Sequence, residues 1–290
     1  MPKNLKADLS LLLVTAIWGS SFTLMKNVLD HIPTFAYLSL RFIIASIILI
    51  AVFYKNLKYI NKKAIICGCI IGFMLFGGMA LQVSGLYFTS ASNSAFITGL
   101  SVIMVPIFSA VILKKRPDRS SVIGVIMAFA GLFFLSGGLD FSFNIGDFLT
   151  LLCAVCFALQ IIFIDRYNKE QDPILLSLIQ IGFAALLNTF VWLFIDYEPV
   201  IFDTNVVFTL FVTGVLGTAF AYLVQTVAQK HTNPTHTALI LTAEPVFGAL
   251  FAMIIPNSDG TVETLSLKTV IGCVLILAGT LICELKKKEY

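Results

Sequence analysis

The amino-acid sequence predicts an all-α integral membrane protein whose ten transmembrane helices form two inverted five-helix repeats around a central cavity. Three observations support this prediction. Apolar residues make up 58% of the chain and charged residues only 12%, and the mean hydropathy is +0.95. Lysine and arginine collect in alternate loops between the apolar runs. The first half of the sequence matches the second half at a nearly constant offset.

The number of spans follows from the composition and the length. A soluble domain of this size would need far more charge on its surface, so the composition excludes that class. A helix needs about 20 apolar residues to cross about 30 Å of hydrocarbon. Pro33, Pro173 and Pro234 lie at the beginning of three apolar runs, where a first helical turn tolerates proline. The predicted spans are residues 8–29, 33–54, 64–87, 92–113, 121–138, 145–167, 173–195, 205–229, 234–255 and 265–285.

The basic residues predict which loops face the cytoplasm, because positive charge next to a span resists translocation. If the N-terminus is inside and the chain crosses ten times, every lysine and arginine except Lys26, Lys268 and Arg41 falls in an inside segment. Adding or removing one span destroys this separation, so both termini are predicted to be cytoplasmic. The acidic residues of the outer segments are Asp30, Asp140, Asp147, Asp196, Glu198, Asp203, Asp259 and Glu263.

An internal repeat relates residues 1–140 to residues 141–290. It is clearest in the fifth and tenth predicted spans, where Val122-Ile123-Gly124 and Ala130-Gly131 match Val270-Ile271-Gly272 and Ala278-Gly279. The glycines predict smooth helix faces that pack closely. Five spans is an odd number, so the second copy enters the membrane inverted, and a binding site is expected between the halves near the midplane. Other matched positions are Asp8 with Asp147, Pro33 with Pro173, Arg41 with Gln180, Gln82 with Gln225 and Thr89 with Thr232.

The sequence lacks the residue patterns that several other classes of protein require. Cysteines inside apolar runs serve as small hydrophobic residues, so neither a disulfide framework nor a zinc site is predicted. ATP-driven transport would need a Gly-x-x-x-x-Gly-Lys-Ser/Thr loop, which the sequence lacks. His31, His231 and His236 have no neighbours suited to an enzyme centre. We therefore predict no catalytic residue, metal, cofactor or nucleic-acid partner, and a first span that is retained rather than cleaved. The cysteines are Cys67, Cys69, Cys153, Cys156, Cys273 and Cys283.

Four candidate site residues lie deep in predicted spans. A carboxylate near the midplane costs about 2.5 kcal/mol or more, so Glu244 is expected to face a cavity or partner, or to be protonated. Its functional interpretation is proton coupling or the binding of a substrate amine; its structural one is a hydrogen bond beside a kink at Pro245. Arg41 is a candidate for holding a substrate carboxylate, with Glu244 or helix carbonyls as the structural alternative. Trp18 and Tyr222 carry amphipathic rings, which line substrate cavities or pack in the core.

Four further candidates lie near span ends. Gln82 and Gln225 occupy matched positions, where they gate the two mouths or hydrogen-bond neighbouring helices. Asn93 and His236 lie near the beginning of the fourth and ninth spans, where the positive end of the helix dipole favours anions. Helix capping explains Asn93 and His236 equally well.

Four segments resemble those of a known transporter family. Taken in order on ten predicted helices, they are similar to bacterial EamA-type members of the drug/metabolite transporter superfamily, and the resemblance covers residues 5–285. It implies export or uptake of small metabolites such as amino acids. Our leading hypothesis is a secondary active transporter that exports small organic metabolites, such as amino acids or related compounds, across the bacterial cell membrane. The segments are Ala16-Ile17-Trp18-Gly19-Ser20-Ser21-Phe22, Thr89-Ser90-Ala91-Ser92-Asn93-Ser94-Ala95-Phe96-Ile97-Thr98-Gly99-Leu100, Ala228-Gln229-Lys230-His231-Thr232-Asn233-Pro234-Thr235 and Glu244-Pro245-Val246-Phe247.

The resemblance and the inverted repeat together imply alternating access between the two halves. The expected partners are a small-molecule metabolite, protons and membrane lipid, and the expected assembly is a monomer or homodimer. The alternative is a lipid-translocating or non-transporting membrane protein on the same scaffold. Such a protein would have a closed, apolar interface without a polar cavity around Glu244 and Arg41.

Overall fold

The computed structural model describes residues 3–28, 32–89, 91–136, 144–195, 197, 199–254 and 266–286. Within these ranges the chain forms helices joined by short connections, and no strand occurs there. The predicted all-α class is therefore confirmed for the part of the chain that is described.

The helices begin and end close to the predicted spans. A 3₁₀ segment, Tyr54–Tyr59, continues α2, and a π-helical segment, Val215–Phe220, joins α9 to α10. The helices are α1 (Lys3–Val28), α2 (Thr34–Phe53), α3 (Lys62–Leu86), α4 (Ala91–Gly99), α5 (Ser101–Ile112), α6 (Arg119–Leu135), α7 (Ile145–Tyr167), α8 (Pro173–Phe194), α9 (Thr204–Gly214), α10 (Ala221–Ala228), α11 (Pro234–Leu241), α12 (Glu244–Ala252) and α13 (Leu267–Lys286).

Three predicted spans are interrupted rather than continuous. The fourth consists of α4 and α5, which are separated at Leu100, and the ninth consists of α11 and α12. Pro245 has no amide hydrogen for the Leu241 carbonyl and its ring crowds that turn, so the kink predicted beside Glu244 is confirmed. The eighth span contains α9, the π segment and α10, and a π turn accommodates one extra residue in the helix.

Seven helical stretches within the described ranges are long and apolar enough to cross a membrane. α6 and the Leu267–Cys283 part of α13 are apolar but shorter, and the 26-residue α1, which carries Lys6 and Asp8, is not among the seven. These stretches support a multi-pass membrane protein, and the full set of ten crossings stays a prediction. The seven are Thr34–Tyr59, Lys62–Leu86, Ser94–Ile112, Ile145–Tyr167, Pro173–Phe194, Thr204–Ala228 and Pro234–Ala252.

α6 and α13 pack antiparallel through their glycines. A Cβ added to Gly124 would lie 2.7 Å from the Gly279 carbonyl oxygen, and a Cβ added to Gly131 would lie 2.6 Å from that of Gly272. A Cβ added to Gly279 would lie 2.6 Å from the Gly124 carbonyl oxygen, and a Cβ added to Gly272 would lie 2.7 Å from the Gly131 carbonyl oxygen. Because no side chain fits at these four positions, the two backbones are in direct contact. The close packing predicted from the glycines is confirmed.

α1 and α7 each pack against helices of the other half of the sequence. α1 contacts α9, α10, α11 and α12, whereas α7 contacts α3, α4 and α5. A Cβ added to Gly19 of α1 would lie 2.8 Å from the Glu244 carbonyl oxygen. A Cβ added to Gly146 of α7 would lie 2.6 Å from the Gly85 carbonyl oxygen. Side chains from both halves therefore meet in the interior.

Candidate functional site

The π segment between α9 and α10 is held by a side chain from α1. The indole nitrogen of Trp18 donates a hydrogen bond of 2.8 Å to the Gly217 carbonyl oxygen. A π turn disturbs the regular pattern of helical hydrogen bonds, and such turns are frequent at functional sites. The Trp18 ring also lies against the Tyr222 ring of α10, with 5.1 Å between the ring centroids. The structure thus places two rings from different halves side by side.

Arg41 of α2 contacts the same π segment. Its Nε donates a hydrogen bond of 2.6 Å to the Thr218 hydroxyl, and its Nη2 donates one of 3.2 Å to the Gly217 carbonyl oxygen. The Thr218 hydroxyl in turn donates to the Thr213 carbonyl oxygen at 2.9 Å. Arg41 is only 4% exposed, so it does not extend outward to the membrane surface. The helix carbonyl named as its structural alternative is one of its partners.

The Glu244 carboxylate points into the bundle. It interacts electrostatically with Arg41 on α2, Tyr222 on α10 and Cys153 on α7. Because these residues lie on three different helices, the carboxylate is directed toward the interior rather than toward lipid. The Glu244 residue is partly buried, and within the described ranges no hydrogen bond or ion pair reaches its carboxylate. The site therefore contains a carboxylate that is available to a ligand or a proton.

The two matched glutamines have different surroundings. Gln82 Nε2 donates a hydrogen bond of 3.4 Å to the Thr98 hydroxyl, which lies 3.9 Å from the Cys153 sulfur. Gln82 therefore joins α3 to α4 close to the region that Glu244 influences. Gln225 lies one helical turn after Tyr222 and is 1% exposed, and its Oε1 has no hydrogen-bond partner among the described residues.

His236 lies apart from this centre in the structure. His236 Nδ1 lies 3.3 Å from a carboxylate oxygen of Asp8 and 3.1 Å from the Thr232 hydroxyl, near the beginning of α11. The cap of α11 is Asn233, whose side-chain oxygen accepts a hydrogen bond from the His236 amide. Asn93 lies in α4, and its side chain is outside the described part of the structure.

The structure thus brings together Trp18, Arg41, Tyr222 and Glu244, four of the predicted site residues. Sequence reasoning missed their partner Thr218 and the π segment that contains it. A signal was present, because Thr213-Gly214-Val215-Leu216-Gly217-Thr218 places small and polar residues inside an otherwise apolar span.

Comparison of the sequence with known protein families identifies the family of the chain. The model of the EamA-like transporter family matches residues 5–137 and again residues 144–284. The chain belongs to the EamA-like transporter family.

Relatives of this EamA-like protein share nearly its full length. An uncharacterized transporter of Archaeoglobus fulgidus is 35% identical over 284 residues, which cover 98% of this chain and 87% of the relative. The uncharacterized transporter YyaM of Bacillus subtilis is 27% identical over 296 residues, covering 96% of this chain and 93% of the relative. A crystal structure of another protein matches with a TM-score of 0.78 and 20% identity over 98% of this chain and 99% of that chain. This structural likeness shows the fold alone.

The family and the names of its relatives identify a multi-pass membrane transporter. They point to transport rather than to an enzymatic reaction, and a transporter of this family handles small molecules. The predicted resemblance is confirmed.

Proposed function

We propose that this EamA-like protein is a secondary active transporter that exports small organic metabolites, such as amino acids or related compounds, across the bacterial cell membrane. The observation that carries the proposal is the interior centre, where Trp18 and Arg41 of the first half meet Tyr222 and Glu244 of the second. A centre shared by two halves supports alternating access, in which the halves rock around a site between them. Protons are the proposed coupling ion, exchanged at Glu244.

The packing of α6 and α13 supports two inverted five-helix repeats, residues 1–140 and 141–290. Ten crossings with both termini in the cytoplasm are part of the proposal and rest on the apolar runs and the distribution of basic residues. In the repeat, Gly124 corresponds to Gly272 and Gly131 to Gly279. If each residue is replaced by its counterpart in the other half, the contact between Gly124 and Gly279 becomes the contact between Gly272 and Gly131. In both contacts an added Cβ would lie 2.6 to 2.7 Å from the carbonyl oxygen of the opposite glycine. A twofold axis between the two helices accounts for this exchange.

Polar side chains close the interior at the end that the basic residues predict to be cytoplasmic. Asn168 donates a hydrogen bond of 2.7 Å to the Thr226 carbonyl oxygen, and Gln180 donates one of 2.8 Å to the Thr226 hydroxyl. Gln229 donates one of 3.3 Å to the Ile161 carbonyl oxygen. These bonds connect α10 with α7 and α8, and all four of the side chains involved are buried. We call Asn168, Gln180, Thr226 and Gln229 the inner seal.

Three of the four inner-seal residues are matched with apolar residues at the other end, whereas Gln180 is matched with Arg41. The repeat pairs Asn168 with Val28, Thr226 with Val83 and Gln229 with Leu86. Val28 and Val83 belong to one buried hydrophobic cluster that also contains Ile32 and Met79, and we call these four residues the outer seal. At two matched pairs, Asn168 with Val28 and Thr226 with Val83, the repeat thus has hydrogen bonds at one mouth and apolar contacts at the other. Under the proposed mechanism, each seal opens while the other stays closed.

Asn168→Leu is expected to loosen the inner seal alone. A buried hydrogen bond contributes about 1 to 1.5 kcal/mol, so amide hydrogen exchange in α10 should become up to about tenfold faster. Exchange in α3, which carries Val83 of the outer seal, should stay the same. Hydrogen exchange followed by mass spectrometry measures both helices in one experiment.

Val28→Ala is the matched control, because it removes apolar contacts from the outer seal. It should speed exchange in the last turns of α3 and leave α10 unchanged. If either variant changed both helices equally, the two seals would not be separate elements.

Metabolite export is tested by comparing cells with and without the protein. Mass spectrometry of cells and medium should show one group of small metabolites displaced toward the medium when the protein is present. The purified protein in liposomes should carry the same compounds and should not move fluorescent lipids between leaflets. Lipid movement without solute flux would contradict the proposal and favour the lipid-translocating alternative.

A further inference from the structure

The central site contains one guanidinium and one carboxylate that attract each other without a direct ion pair. Arg41 attracts the Glu244 carboxylate, but the Arg41 Nε and Nη2 atoms donate to Thr218 and Gly217. Within the described ranges no hydrogen bond or ion pair reaches Glu244 itself. A carboxylate in the middle of a membrane is unfavourable unless it serves a partner that neutralises it.

We propose that Glu244 binds a positively charged group of the substrate, so that the transported metabolite is an organic cation. The inference rests on the proposed function, whose substrate class it names. The cation would lie between the Glu244 carboxylate and the rings of Trp18 and Tyr222.

The repeat indicates that the scaffold does not require this carboxylate. Val105-Pro106-Ile107-Phe108 of α5 matches the motif Glu244-Pro245-Val246-Phe247 of α12, with valine at the position of the glutamate. The match requires four additional residues in the first half after Thr89, because the offset is 143 residues between Thr89 and Thr232 and 139 between Val105 and Glu244. Val105 is fully buried in an apolar cluster, so the fold accommodates an apolar side chain at the matched position. The charge is therefore a property of the site in one half rather than of the repeated architecture.

The aromatic rings supply a second feature that favours cations. The faces of aromatic rings attract positive charge, and tryptophan attracts it most strongly. Trp18 is held through its indole nitrogen by Gly217 and is only partly buried. Tyr222 lies against it and is within the electrostatic influence of Glu244. A carboxylate and two anchored rings form a suitable environment for an ammonium group.

Arg41 is the feature that an anionic substrate would need, and its geometry does not favour that role. Two of its donor nitrogens bind the π segment, and the residue is 4% exposed. We assign Arg41 to positioning the π segment, and hence Tyr222 beside Trp18.

Binding can be measured with Trp18 as the reporter. The chain has two tryptophans, so Trp192→Phe leaves Trp18 as the only one. Three probes with the same phenylethyl group differ in charge: 2-phenylethyltrimethylammonium is a cation, phenylalanine a zwitterion and 2-phenylethanesulfonate an anion. The fixed charges of the first and third prevent passive movement through the bilayer, so the same probes serve in flux experiments.

The cation is expected to bind at least about tenfold more tightly than the sulfonate, with phenylalanine between them. Glu244→Gln in the same background should remove this preference, and Glu244→Asp should retain it. Glu170→Gln, which neutralises a half-exposed carboxylate in the α7–α8 connection, is the matched control and should leave the affinities unchanged.

Three results would overturn the inference: equal affinity for cation and sulfonate, no binding of the cation, or unchanged cation affinity in Glu244→Gln. If the glutamine variant failed to fold, the comparison of the three probes on the Trp192→Phe protein would still decide. Flux of the sulfonate without flux of the cation would support the proposed function and overturn this inference. Glu244-dependent cation binding, with no flux of any probe or cellular metabolite, would support a cation-binding site at Glu244 and contradict transport.

Discussion

Glu244→Gln is expected to reduce pH-gradient-driven transport to the background of protein-free liposomes. Glutamine has nearly the same shape as glutamate but cannot take up or release a proton. The variant should remain folded, because no described residue forms a hydrogen bond or ion pair with the Glu244 carboxylate. The measurement is flux of the metabolites identified in the cell comparison, with and without an imposed pH gradient, alongside thermal unfolding of the same preparations.

The control for this prediction is again Glu170→Gln. Glu170 pairs with Lys63 at the end of the bundle, and the Lys63 ammonium lowers the pKa of the Glu170 carboxyl through a hydrogen bond and its charge. Both side chains are largely exposed, so this pair should contribute little to stability or transport. Preserved pH-driven flux in Glu244→Gln would remove Glu244 from the coupling mechanism.

Gly131→Val is expected to cause a large loss of stability. The first atom of the new side chain would lie 2.6 Å from the Gly272 carbonyl oxygen and 2.7 Å from Ile276 Cγ1. Overpacking of this kind costs about 1 to 3 kcal/mol when neighbours can adjust, and here the obstacle includes backbone. The expected result is a clearly lower unfolding temperature in detergent or failure to accumulate as a folded protein, measured by fluorescence-detected size exclusion after heating.

Gly182→Ala of α8 is the matched control for the glycine substitution. Nothing lies within 4 Å of a Cβ at Gly182, so alanine fits without displacement. Alanine also has the higher helix propensity, and the change should be neutral or stabilise by up to about 1 kcal/mol. If Gly131→Val unfolded at the same temperature as the unmodified protein, that result would contradict direct backbone contact between α6 and α13.

Much of the architecture could be predicted because the membrane restricts the possibilities. α7 runs from Ile145 to Tyr167 as predicted, and its beginning is marked by a capping box between Asn144 and Asp147. The proline kink before α12 could also be predicted, because a missing amide hydrogen is a local property of the sequence. Boundaries and kinks of this kind depend on neighbouring residues and on hydrophobic length.

The details of the site could not be predicted in the same way. The π segment is held by Trp18 and Arg41, which lie far from it in the sequence, so only the packing of α1 and α2 reveals it. For Arg41 the sequence left a substrate carboxylate and helix carbonyls equally open. In the structure Arg41 donates hydrogen bonds to the Thr218 hydroxyl and the Gly217 carbonyl oxygen, which favours the second of these alternatives. The sequence shows which polar and aromatic residues are present but not which of them contact one another.

The extra residue in the π segment also determines the rotational phase of the helix that follows. Successive residues of an α-helix are rotated by about 100°, since one turn contains 3.6 residues. Winding all the residues from Val215 to Phe220 as a regular α-helix, without the π turn, would rotate α10 by about that angle relative to α9. Tyr222 would then leave the Trp18 ring, and the inner-seal residues Thr226 and Gln229 would face other neighbours. The rotation of α10 about its own axis thus places both Tyr222 beside the Trp18 ring and the inner-seal residues Thr226 and Gln229 against their partners.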